Sequence, residues 1–207
     1  MNDRLRGLYV IIDPEIAPGR DEAEISRRAI AGGARMIQLR DKTLAEDELL
    51  PIARQLADVC AENGAAFFVN DDVDLALAAG ADGVHVGRTD LPVAIVRERL
   101  GPDLLIGAST NNVEEARQAE ANGADYVSVG RLFPTGSKAN TRPATLDTLR
   151  AVKAAVTIPV CAIGGINESN IDAVIEAGAD IVSVIAAVVA ADDVREAARA
   201  LSSKFEN

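Results

Sequence analysis

A chain of 207 residues with a net charge of −11, 48% hydrophobic residues but only 3% aromatics, can fill one sizeable core, built mainly of Ala, Val, Ile and Leu. The negative charge argues against a nucleic-acid or anionic-membrane surface, no apolar run approaches a membrane span, and the opening MNDRLRGLYVIID, acidic and without a small-residue cleavage pattern, predicts a cytosolic protein. Two cysteines, Cys60 and Cys161, in apolar settings without CxxC spacing, predict reduced, packed thiols with no metal site.

In chain order, a short aliphatic strand is expected over 8–13, then an amphipathic helix over 21–31, and the alternation continues. Strands follow at 36–40, 66–70, 83–86, 104–109, 126–129, 160–163 and 181–184, with helices at 45–63, 73–79, 92–100, 113–122, 146–155, 169–177 and 192–204. Strict alternation means parallel strands with right-handed crossovers. One cassette recurs: Gly33-Ala-Arg-Met-Ile-Gln38, Gly80-Ala-Asp-Gly-Val-His85, Gly123-Ala-Asp-Tyr-Val-Ser128 and Gly178-Ala-Asp-Ile-Val-Ser183. Its period is about two strand-helix units, so four copies imply eight strands, at about 26 residues per unit. The expected fold is a single-domain α/β protein, a (β/α)8 TIM barrel over residues 1–207, with its chemistry at the C-terminal ends of the strands.

The fifth residue after each cassette glycine is polar. Gln38, His85, Ser128 and Ser183 therefore share one face of strands 2, 4, 6 and 8 and should point into the barrel. Buried polar groups are costly unless paired, so this layer suggests the floor of a ligand site. A lone inward histidine is more often a hydrogen-bonded core residue than a base. Beyond Gln38, the run Leu-Arg40-Asp-Lys42 sets two cations on one side of an extended strand end, suited to a diphosphate; the alternative is a solvated strand end. Strand 3 ends in Asn70-Asp71-Asp72 and strand 4 leads to Asp90, and two such carboxylates beside a diphosphate make a reasonable Mg²⁺ site. One of Asp71 and Asp72 should ligate, the other cap the next helix. The longest connection, over 130–145, holds Phe133-Pro-Thr135-Gly-Ser137-Lys138, hydroxyls and a cation around a glycine, and reads as an anion clamp or a tolerated insertion. After strand 7, Gly164-Gly165 occupies the place where such barrels commonly bind phosphate.

Together, Gly7-Leu-Tyr-Val, Gln38-Leu-Arg40-Asp-Lys42, Val69-Asn70-Asp71, Val84-His85-Val86-Gly87 with Asp90-Leu-Pro, Gly107-Ala-Ser109-Thr, Phe133-Pro-Thr135 with Lys138, and Ala162-Ile-Gly-Gly165-Ile resemble thiamine-phosphate synthase over essentially the whole chain. The resemblance implies a Mg²⁺-dependent cytoplasmic transferase. It would join 4-amino-5-hydroxymethyl-2-methylpyrimidine diphosphate to 4-methyl-5-hydroxyethylthiazole phosphate, yielding thiamine phosphate and pyrophosphate. Its partners are then two small phosphorylated substrates, with no nucleic acid or membrane, and a homo-oligomer is compatible with it.

Carried onto this chain, Arg40, Lys42, Asn70 and Lys138 contact the diphosphate and Gln38 the pyrimidine end. Asp71 and Asp90 ligate Mg²⁺, and Ser109 stands at the reacting centre. Thr135, Ser137, Gly165, Val182 and Ser183 surround the thiazole phosphate. Arg40, Ser109 and Lys138 are the catalytic candidates, and Arg40→Ala or Lys138→Ala is expected to slow turnover far more than it lowers the melting temperature. The chain departs from the family's usual residues at Asp41, Arg88-Thr89, Arg131 and Ser137, with Arg131 at the base of the long loop. A related thiazole tautomerase uses a histidine just after strand 5, where this chain has Ser109-Thr110-Asn111. A non-catalytic phosphate-binding barrel shares the fold but has no need of the carboxylates and cations.

Overall fold

The computed structural model describes residues 4–136 and 142–205. Eight parallel strands close into a barrel in sequence order: β1 Gly7–Ile12, β2 Ala34–Leu39, β3 Ala66–Asn70, β4 Gly83–Val86, β5 Leu105–Thr110, β6 Tyr126–Val129, β7 Val160–Ile163 and β8 Ile181–Val184. Around them run α1 Glu22–Ala31, α2 Glu46–Asn63, α3 Val73–Ala79, α4 Val93–Leu100, α5 Val113–Ala121, α6 Leu146–Ala155, α7 Ile171–Glu176, α8 Ala186–Val189 and α9 Val194–Ser202. The predicted elements all appear, most within a residue or two of their expected ends. The short α8, directly after β8, was not expected, because four residues carry no periodicity to read.

Helix starts follow local chemistry. Asp21, Asp72, Asn112, Thr145 and Asp193 each accept a hydrogen bond from the amide three residues on, which satisfies amides that have no partner within the helix. Asp72 is thus the cap of the pair Asp71-Asp72, and Asp71 is left to another role.

The cassette turns out to divide its work along its length. Its glycines all take positive φ, from 70° at Gly80 to 100° at Gly33, the conformation that ends a helix and turns the chain into the next strand. The aspartates are structural. Asp82 accepts from the amide of Phe67, Asp125 from that of Ile106 and Asp180 from that of Val160, each at 2.7–2.8 Å, so each ties its own strand to the start of the preceding one. A cation balances each carboxylate: Arg4, Arg97 and Lys153, respectively.

Alternation then splits the core in two. Residues such as Val84, Val127 and Val182 pack outward under the helices. Tyr9, Met36, Phe68, Tyr126, Cys161 and Ile181 fill the barrel interior. The expectation of an Ala/Val/Ile/Leu core holds for the outer layer only. Three of the six aromatics lie inside, where Tyr9, Phe68 and Tyr126 meet pairwise with ring centroids 5.7–6.2 Å apart. Such tilted and edge-on contacts suit aromatic pairs. Glycines make room for them: a Cβ at Gly83 would lie 2.7 Å from the Phe68 ring, and one at Gly107 would overlap Tyr126.

Candidate active site

Above the aromatic plug, at the C-terminal ends of the strands, lies a cavity of about 290 Å³. Gln38, His85, Ser128 and Ser183 all line it, and all are buried, so the four cassette residues do form a polar floor. A continuous hydrogen-bonded chain crosses that floor. His85 Nε2 lies 2.9 Å from Ser109 Oγ and His85 Nδ1 2.9 Å from Tyr126 Oη. Tyr126 Oη donates to Tyr9 Oη over 3.3 Å, and Gln38 Nε2 donates to the same oxygen over 2.6 Å. Burial raises the pKa of both phenols above the usual tyrosine value, so both stay protonated at neutral pH. Among the described residues, the buried Gln38 Oε1 and Ser183 Oγ have no hydrogen-bond partner. Buried oxygens left unpaired cost about 1–3 kcal/mol each, and a polar ligand in the cavity would relieve that cost.

On the β2 to β4 side the charged candidates gather, but not as a continued strand. β2 stops at Leu39. The Asp41 carboxylate accepts from Thr43 and Leu44 and closes a turn, which lifts Lys42 clear of the strand. Arg40 is buried and paired with Asp13, whose side chain is only 2% exposed. Lys42 Nζ lies 3.7 Å from Asp71 Oδ2. Asp71 takes φ 63°, a left-handed conformation that Asp tolerates better than most residues but at some cost. Burial, and then the adjacent Asp90 carboxyl, push the Asp71 carboxyl up to about 6. Asp90 accepts from the Gly87 amide at 2.8 Å, and Gly87 lines the cavity. Asn70 bonds the Asp71 side chain and pairs in register with His85. Lys42, Asn70, Asp71 and Asp90 therefore form one cluster beside the floor.

The opposite side is built from the ends of β5 to β8. Thr135, Gly164, Gly165, Ser183 and the start of α8 line the cavity. The carbonyl of Gly165 accepts from Asn170 Nδ2 at 3.1 Å, which fixes the turn. A Cβ at Gly165, where φ is 65°, would lie 2.6 Å from the Pro134 carbonyl oxygen, so the glycine lets the long loop pass close. Gly165→Ala should therefore lower stability by about 1–2 kcal/mol, measurable as a lower melting temperature, and displace the 131–136 segment from the cavity. The loop base is closed by reciprocal bonds between Arg131 and the chain at Arg142 and Ala144. Asn111 Nδ2 bonds the Gly130 carbonyl at 2.9 Å, and Arg142 makes a two-pronged contact with Glu115.

Of the expected site residues, Gln38, Ser109, Thr135, Gly165 and Ser183 line the cavity, Lys42, Asn70, Asp71 and Asp90 stand in the adjoining cluster, and Arg40 is buried against Asp13 instead. Val182 is fully buried on the helix-facing side, so only its backbone can serve a ligand. Ser137 and Lys138 lie outside the described residues. Sequence reasoning missed Asp13, Tyr9, Tyr126 and the cavity-lining Arg142. Tyr126 had a readable signal: it stands two positions before Ser128 in the third cassette, hence on the same inward face. Asp13 had none, since its partner is set by the β1–β2 register.

The comparisons agree with this geometry. A family model described as "Thiamine monophosphate synthase" matches residues 8–188. The thiamine-phosphate synthase of Shouchella clausii (strain KSM-K16) is 52% identical over 200 residues, 96% of each chain. That of Moorella thermoacetica (strain ATCC 39073 / JCM 9320) is 50% identical over 195 residues, 94% of this chain and 93% of the relative. The solved thiamine phosphate pyrophosphorylase of Pyrococcus furiosus superposes with a TM-score of 0.90 at 43% identity, covering 99% of this chain and 96% of that one. A family model spanning residues 8–188 and relatives about half identical along nearly the full chain place the chain in the thiamine-phosphate synthase family.

Proposed function

We propose that this chain, as one barrel domain in the cytosol, condenses 4-amino-5-hydroxymethyl-2-methylpyrimidine diphosphate with 4-methyl-5-hydroxyethylthiazole phosphate. The products are thiamine phosphate and pyrophosphate. The observation that carries the reading is the two-sided mouth: a cluster of cations and carboxylates on one side of a polar floor, and a Gly/Ser/Thr side on the other. Two anionic substrates would then lie across the floor with their uncharged rings facing each other. Among the described residues, no helix is long and apolar enough to cross a membrane, and both cysteines are buried and unbridged, which supports the cytosolic setting.

The donor set suits Mg²⁺. Asp71 and Asp90 are two neighbouring carboxyls at a site that penalises the charge of Asp71. No cluster of three or more His, Cys, Asp or Glu that could hold a metal occurs among the described residues. A metal here would take two carboxylates and complete its shell from water and substrate oxygens, as Mg²⁺ prefers. When bound, it would supply positive charge to the departing pyrophosphate. Lys42, Arg40 and Asn70, with Lys138 from the loop, would hold the same group. The bond between the pyrimidine's C5 methylene and the diphosphate oxygen breaks with its electrons leaving on pyrophosphate, that methylene carbon carries the positive charge, and the thiazole nitrogen donates its lone pair to it. That nitrogen bears no proton, so the step needs no general base. Catalysis rests on orientation and charge placement.

Arg131 lines the cavity beside Gly164 and would add a cation to the thiazole-phosphate side. Arg131→Ala should raise the KM for the thiazole phosphate by about tenfold with the KM for the pyrimidine diphosphate unchanged. The reading itself is tested by pyrophosphate release: it should require both substrates together, and release from the pyrimidine diphosphate alone at the same rate would make the protein a hydrolase instead.

A further inference from the structure

We propose that Tyr126 is a positioning residue that fixes the tautomer of His85 and, through it, turns the lone pairs of Ser109 toward the cavity. The inference rests on the reading above for its catalytic consequence, but its structural content stands alone. Tyr9 Oη accepts from both Gln38 Nε2 and Tyr126 Oη. Tyr126 has then committed its only hydrogen to Tyr9, so toward His85 Nδ1, 2.9 Å away, it can only accept. The ring must carry its proton on Nδ1. In the neutral ring Nε2 is then a bare acceptor, and across 2.9 Å it takes the hydroxyl hydrogen of Ser109.

The outcome is directional. Ser109 keeps its lone pairs for the cavity, and Gln38, which gives one Nε2 hydrogen to Tyr9, keeps Oε1, which has no partner among the described residues. Both polar groups present acceptors. Beneath a carbon that gains positive charge, inward-facing oxygen lone pairs stabilise, whereas an O–H pointed at it would oppose the charge. The chain from Ser109 through His85, Tyr126 and Tyr9 to Gln38 sets both orientations at once. The fold keeps the place for it: the Tyr126 ring occupies the space that a side chain at Gly107 would fill.

His85 is the only histidine in the chain, so ¹⁵N-histidine labelling gives one ring to observe by NMR. The wild type should show a protonated Nδ1 and an unprotonated Nε2 at pH 8. Tyr126→Phe removes the acceptor while keeping the ring volume, and should move the proton to Nε2. In the turnover assay it should lower kcat on the order of tenfold, the worth of one misdirected hydrogen bond, with both KM values within about threefold of wild type. A wild-type ring protonated on Nε2 would overturn the proposal, as would a Tyr126→Phe enzyme with unchanged tautomer and unchanged kcat. The wild-type spectrum decides the tautomer even if the variant does not fold. A protein with no transferase activity but the Nδ1–H ring would refute the proposed reaction and leave the tautomer assignment standing.

Discussion

Arg40→Ala should cost the protein stability as well as activity. Read from the sequence, Arg40 is a cation at an open strand end, and its loss should spare the fold. In the structure it is buried against Asp13, a carboxylate 2% exposed. Removing the guanidinium leaves that charge without its counter-ion, at about 3–5 kcal/mol. For a domain of this size the melting temperature should fall by about 10 °C. The two effects can be separated. Asp13→Leu combined with Arg40→Met replaces the ion pair by apolar groups and should melt within a few degrees of wild type, yet turn over poorly because the diphosphate has lost a cation. A double variant that is stable and fully active would make Arg40 purely structural.

Asp71→Asn should do the opposite to stability and cost activity more. The folded protein binds a proton on Asp71 more tightly than the unfolded chain, because burial and Asp90 raise its carboxyl to about 6. Such a group favours the folded state as pH falls from above 6 toward about 4, and weighs against it where the carboxylate is ionised. Asp90 and Lys42 are the charges that face it. At pH 8 without metal, Asp71→Asn should be more stable than wild type by about 1 kcal/mol, a figure reduced for its partial exposure. The gain should shrink toward pH 4, apart from a constant increment from asparagine's ease at φ 63°. Millimolar Mg²⁺ should raise the melting temperature of the wild type but not of the variant, and turnover should fall on the order of 100-fold. A variant that shows the same Mg²⁺-dependent shift as wild type would remove Asp71 from the metal site.

These two residues mark how far the sequence could be read. The barrel was legible because strand and helix alternation and the cassette period are local patterns, and strand ends set by Gly, Pro and Asp were placed closely. The inward set Gln38, His85, Ser128 and Ser183 followed from alternation alone. What failed were partnerships across the barrel. Arg40 and Asp13 belong to different strands, and nothing in either segment announces a buried pair. The run from Gln38 to Lys42 read as one extended face, yet the Asp41 turn breaks it, and Arg40 and Lys42 take different surroundings. Asp71 and Asp72 were divisible into ligand and cap only as a pair, and the structure assigns the cap to Asp72 through its bond to the Leu75 amide. The aspartates of the cassette carry no chemistry at the site, and their strand-tying role needs the register of neighbouring strands to be seen.

The most direct test is turnover by the purified protein given both substrates and Mg²⁺, followed by mass-resolved detection of thiamine phosphate and a matched assay for pyrophosphate. The two products should appear in equal amounts, with both abolished by EDTA and restored by added Mg²⁺. No thiamine phosphate, or formation that EDTA leaves untouched, would contradict the proposed reaction.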